Sequence, residues 1–89
     1  MDVVHDANAR RFHAEVGGQR GVLDYALRDG VMIITHTGVP SAIGGRGVAA
    51  KLTRVALETA RREHWKVVPA CAYAATFIRR HPEFDDLLA

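Results

Sequence analysis

One change of hydrophobic period limits what this chain can fold into. From Arg11 to Thr37 apolar and polar residues alternate, the two-residue period of half-buried strands. From about Val48 the apolar residues Val48, Ala49, Leu52, Val55, Ala56 and Ala60 recur at helical spacing, with Lys51, Arg54, Glu58, Arg61 and Arg62 on the other side. Between the two regimes lie a break at Val39-Pro40-Ser41 and a crowd of glycines at Gly44, Gly45 and Gly47. Strands followed by helices predict an α+β fold in which helices pack on a sheet.

The strand half reads as an antiparallel meander. The first dozen residues carry little pattern. Arg11–Val16 alternates, and Gly17-Gly18 closes it as a hairpin turn. Arg20–Arg28 puts Leu23, Tyr25 and Leu27 on one face and Asp24, Ala26 and Arg28 on the other. Asp29-Gly30 is a tight-turn dipeptide, and the β-branched run Val31–Thr37 comes next as a third strand. The first helix is expected to end near His64-Trp65. Lys66–Ala70 reads as a short buried strand whose ladder stops or opens at Pro69, which has no N–H. A second helix is expected over Ala72–Arg80, with Tyr73, Phe77 and Ile78 as packing residues and His81-Pro82 closing it. Phe84, Leu87 and Leu88 form an apolar tail expected to dock on the core.

Composition narrows the function. With 89 residues the chain is expected to be a single domain over 1–89. No long apolar run points to a membrane span, and the start Met1-Asp2-Val3-Val4 lacks the pattern of a signal peptide. The one cysteine, Cys71, cannot form an internal disulfide and suits a reducing compartment, so a cytoplasmic location is expected. The net charge of +2 is small and dispersed, which argues against nucleic acid and suits a small anionic ligand. His5, His13 and His64 have no ligand-like spacing, so no metal site is expected.

The glycine-rich turn is the first candidate site. The opening amides of a helix have no partner within it, and they point outward at the positive end of its dipole. A phosphate accepts several such donors at once, and glycine keeps side chains away and permits positive φ. Arg46 and Lys51 would add positive charge. The turn lacks the Gly-Lys-Ser/Thr ending of a P-loop and the Rossmann spacing within a parallel βαβ unit. On these residues alone, a phosphate cradle and an ordinary flexible helix cap remain equal alternatives.

A wider set of residues separates them. Gly44-Gly45-Arg46-Gly47-Val48-Ala49 resembles the acetyl-CoA signature of the GNAT acetyltransferases, Gln/Arg-x-x-Gly-x-Gly/Ala. With it come His36-Thr37-x-Val39-Pro40, Lys66-Val67-Val68-Pro69-x-Cys71 and His81-Pro82-Glu83-Phe84. Together, over about Arg11 to Leu88, they resemble the small stand-alone branch of that family, the YjdJ-type N-acetyltransferases. The resemblance implies a minimal GNAT-like acyl-CoA N-acyltransferase fold: a meander, then helix, short strand and helix. It implies acetyl-CoA as cofactor, with pyrophosphate on residues 44–49 and pantetheine along a splayed strand at Lys66–Ala70. The cofactor contacts so expected are Val39, Gly44, Gly45, Arg46, Gly47, Val48, Ala49, Lys51, Pro69 and Tyr73. Gly44 departs from the Gln or Arg of the family pattern and removes one side-chain contact. The acceptor, a small amine or a protein lysine, would meet a shallow site or one completed by a protein partner. A non-catalytic acetyl-CoA-binding module is the alternative.

Three residues are candidates for chemistry. Cys71, ahead of the second helix, is a nucleophile candidate activated by the helix N-terminus, set against the ordinary fate of a small buried residue. His36 is a general-base candidate, read on the same strand face as Met32 and Ile34 and set against a half-buried structural histidine. Tyr73 has the place of a proton donor to the departing thiolate in larger relatives, set against core packing.

Overall fold

Four antiparallel strands, not three, open the chain. The computed structural model describes residues 1–89. Strands β1 (Val3–Asp6), β2 (Arg11–Val16), β3 (Gln19–Arg28) and β4 (Val31–Gly38) form the meander. A 3-10 turn at Ser41–Ile43 leads to helix α1 (Val48–Arg62), which crosses over to β5 (Lys66–Pro69). β5 pairs parallel with β4, giving the sheet order β1-β2-β3-β4-β5. Helix α2 (Ala72–Arg80) and a 3-10 segment at Pro82–Leu87 complete the chain. No helix is long and apolar enough to cross a membrane.

The extra strand is too short to declare a period. What holds β1 is lateral: Val3 pairs with Ala14 and Asp6 with Arg11. The His5 ring stacks on Phe12 with centroids 4.1 Å apart and shares a 2.6 Å hydrogen bond with the Tyr25 hydroxyl. β1 is the short arm of a hairpin with β2, and its Tyr25 partner lies 20 residues on, so the first residues look patternless alone.

One sheet face and both helices share one core. Phe12, Ala14, Leu23, Tyr25, Met32, Ile34 and Val67 are buried from the sheet, and Val48, Leu52, Ala56, Leu57 and Ala60 from α1. Ala74, Phe77 and Ile78 join from α2, while Phe84 and Leu87 of the tail dock as expected. Leu88 stays exposed, yet its backbone bridges Val67 at the open edge of β5. Burying each large apolar side chain contributes roughly 1.5–3 kcal/mol, so this shared core is the main support of the fold. Gly21 lets α1 come close: a Cβ there would stand 2.7 Å from Val48 Cγ1. The opposite sheet face leaves Ala26 and Val68 exposed.

The register slips once. Tyr25 pairs with Ile34, but Asp24 pairs with His36, which leaves Thr35 as the extra residue of a β-bulge. A bulge adds one residue and turns the next side chains to the other side. The expectation that His36 shares the face of Met32 and Ile34 is therefore wrong: those two are fully buried and His36 is exposed. Alternation cannot reveal an inserted residue that only the partner strand defines.

Candidate functional site

The glycine-rich turn makes a row of free donors. Gly45 (φ 81°) and Gly47 (φ 75°) adopt left-handed backbone, and Gly47 is the N-cap of α1 with no side-chain cap. Ordinary side chains resist that conformation, so glycine sets the path of the turn. Gly44 donates to Ser41 O, Arg46 to Ile43 O and Lys51 to Gly47 O. The amides of Gly45, Gly47, Val48, Ala49 and Ala50 have no acceptor within the chain. No acidic residue stands in the first turn of α1 to offset its dipole.

These donors border a pocket of about 280 Å³ lined by Val39, Ile43, Gly44, Gly45, Gly47, Val48, Ala49, Ala50 and Tyr73. A second pocket of about 380 Å³ lies between α1 and α2, lined by Ala50, Lys51, Arg54, Tyr73, Thr76, Phe77, Arg80 and His81. Ala50 and Tyr73 belong to both, so the two form one furrow between the N-terminal half of α1 and the length of α2. The outer part is basic. Arg54 lies over the Phe77 ring at 5.7 Å and 3.7 Å from Glu83. His81 stacks on Phe77 at 3.9 Å and donates from Nδ1 to Phe77 O at 2.7 Å, which fixes its ring as a wall.

At the inner end the sheet opens. Ile34 pairs with Pro69, and the Ala70 and Cys71 amides both donate to Ile34 O, at 2.9 and 3.1 Å. Beyond that point β4 runs on to Gly38 while the other strand turns into α2. Cys71 is the N-cap of α2; its Sγ accepts from the Ala74 amide at 3.4 Å and lies 3.5 Å from Thr37 Oγ1. An amide donor and a hydroxyl thus face the sulfur.

The structure gathers most of the expected residues. Val39, Gly44, Gly45, Gly47, Val48, Ala49 and Tyr73 line the inner pocket, and Lys51 lines the outer one. Pro69 stands where the strands part. Arg46 is exposed and lines neither pocket. Gly44 has an ordinary φ of −60°, so its place in the turn does not rest on conformational freedom. Tyr73 is not a core residue as expected: it is 40% exposed, at the junction of the two pockets. Its partial burial raises the hydroxyl pKa, which keeps the phenol protonated.

Other residues of the site escaped the sequence reading. Thr37, not His36, faces Cys71, and no hydrogen bond joins His36 to the sulfur. Arg54, Thr76, Arg80 and His81 line the outer pocket. A signal for them existed. Lys51 and Arg54, and likewise Tyr73, Thr76, Phe77 and Arg80, recur at three- and four-residue spacing along one helix face.

Comparison with known proteins places this geometry. Residues 11–87 match the family model described as GCN5-related N-acetyl-transferase. Protein NATD1 of Gallus gallus is 32% identical over 85 residues, covering 92% of this chain and 77% of that protein. Protein NATD1 of Homo sapiens is 32% identical over 83 residues, covering 90% and 74%. The NMR solution structure of a GCN5-like protein from Staphylococcus aureus superposes with a TM-score of 0.76 at 23% identity, over 99% of this chain and 87% of that one.

Proposed function

This chain belongs to the GCN5-related N-acetyltransferase family, and we propose that it transfers an acetyl group from acetyl-CoA to an amine. The observation that carries the reading is the set of unpartnered amides at Gly45 and from Gly47 to Ala50, opening on a furrow between α1 and α2. A diphosphate accepts such donors without help from side chains, so the loss of a Gln or Arg at Gly44 does not remove the cradle. Lys51, Arg54 and Arg80 make the outer furrow suited to the phosphate of the adenosine end.

Bound acetyl-CoA supplies an activated acyl thioester at the inner end. There the chain offers three groups. Cys71 Sγ, held by Ala74 and Thr37, is the nucleophile candidate. The Tyr73 phenol holds a proton at the junction of the pockets. His36, on the far face of the β4 end, is placed to take a proton from an amine arriving over the open sheet.

Isothermal calorimetry with acetyl-CoA, coenzyme A and ATP tests the binding half. Acyl-CoA is expected to bind well above ATP, because the inner furrow selects the pantetheine arm. Gly47→Asp is expected to lose at least about tenfold in affinity, or 1.4 kcal/mol. Gly47→Asn tolerates left-handed backbone equally and is expected to lose less, since it lacks the carboxylate. Equal affinity of all three proteins would remove the cradle. Release of thiol from acetyl-CoA in the presence of amines then separates an enzyme from a module that only binds.

A further inference from the structure

His36 sits in a setting that the furrow does not require. The bulge at Thr35 brings it opposite Asp24, and pairing carries the row on to Arg11 and Asp6 across the sheet. Arg11 grips Asp24 through both carboxylate oxygens, at 2.6 and 3.1 Å. Thr35 Oγ1 donates to Asp24 O at 3.3 Å, so the same residue anchors the bulge. Along the strand the imidazole lies over Gly38: a Cβ there would stand 2.8 Å from Nε2 and 3.4 Å from Cε1. Gly38 is not among the glycines with positive φ, so its backbone does not demand glycine. The room taken by the ring does.

We propose that Asp24 and Gly38 are positioning residues for the His36 imidazole, the first by its charge across the strand pair and the second by its bare Cα beneath the ring. Together they keep the ring on the open sheet face, beside the mouth where β4 and β5 part. The inference rests on the reading of His36 as the base for an incoming amine. Three charged groups face the ring along its row: Asp24 next to it, then Arg11, then Asp6. The hydrogen bond from Arg11 holds the Asp24 carboxyl below its usual range, and His36 adds to that effect, so the carboxylate stays charged near neutral pH. A fixed negative neighbour on the paired strand restrains where the ring can lie.

The test combines turnover with NMR of the imidazole nitrogens, which reads ring placement without turnover. In Gly38→Ala the new methyl meets the ring first, so the ring is expected to swing while the fold stays. Its signals should move, and kcat/KM should fall several-fold with acetyl-CoA affinity unchanged. Asp24→Asn is expected to move the imidazole signals and to lower kcat/KM several-fold, again with acetyl-CoA affinity unchanged. His36→Gln is the reference. If it is fully active, the base reading falls, and the NMR signals alone decide the placement. If it is impaired while Gly38→Ala and Asp24→Asn leave ring signals and kcat/KM unmoved, the positioning proposal is overturned.

Discussion

Single residues divide here into those that shape the backbone and those that could carry chemistry. Gly47 and Gly45 are of the first kind, since their left-handed φ turns the amides toward the pocket. Cys71 belongs to both, because the sulfur caps α2 and lies beside Thr37 where β4 and β5 part. The two roles can be separated. Cys71→Ser keeps a capping oxygen, whereas Cys71→Ala removes the cap at a cost of roughly 0.5–1 kcal/mol in the melting midpoint free energy. Both variants are expected to lose acetyl transfer and to keep acetyl-CoA affinity by calorimetry. Full transfer by either one would end the nucleophile role. Tyr73 shows how a residue type misleads: an aromatic at helical spacing reads as core, yet its position on α2 turns it to the furrow.

At the scale of elements, β1 and β4 show where local reading stops. β1 exists because His5 stacks on Phe12 and bonds to Tyr25, and burial lowers the His5 pKa, with the nearby Arg62 charge adding to the effect. A folded-state pKa below the ordinary value of about 6.5 means that folding favours neutral His5. Its contribution is therefore complete above about pH 6.5 and is lost as pH falls through the lowered value. Melting monitored by circular dichroism should show a midpoint that drops on acidification below that pH. In His5→Phe, which keeps the stack, that part of the slope should flatten. An unchanged slope would place the acid sensitivity elsewhere. Arg11–Asp24 acts lower on the scale: Asp24 has a depressed pKa, so that pair stabilises above the ordinary carboxylate range and weakens as pH falls through it. Both side chains are partly exposed, so solvent screens the pair and keeps its contribution small.

Across the whole molecule, the furrow exists because two helices pack on one sheet face. Leu52 is fully buried in the core that binds them, and Leu52→Ala is expected to cost about 2–5 kcal/mol. In a domain of this size that lowers the thermal midpoint by on the order of 10–30 °C, a shift that calorimetric melting would reveal. A drop of only a few degrees would mean that α1 is not bound to the sheet through this residue. Much of this architecture was legible in the sequence. The alternation of Phe12, Ala14, Leu23 and Tyr25, the Asp29-Gly30 turn and the helical spacing after Val48 are local signals, and the elements lie where those signals put them. The glycines of the turn declared a helix N-terminus free of side chains for the same reason. The sequence by itself thus determined the order and kind of elements from β2 onward, because period and turn chemistry act between near neighbours. Tertiary structure alone decided the fourth antiparallel strand, the bulge that turns His36 outward, the approach of Thr37 to Cys71 and the merging of two pockets at Ala50 and Tyr73. In each of these the paired strand or the packed helix decides, and Thr37 and Cys71 are 34 residues apart; no local period records which residue the partner will be.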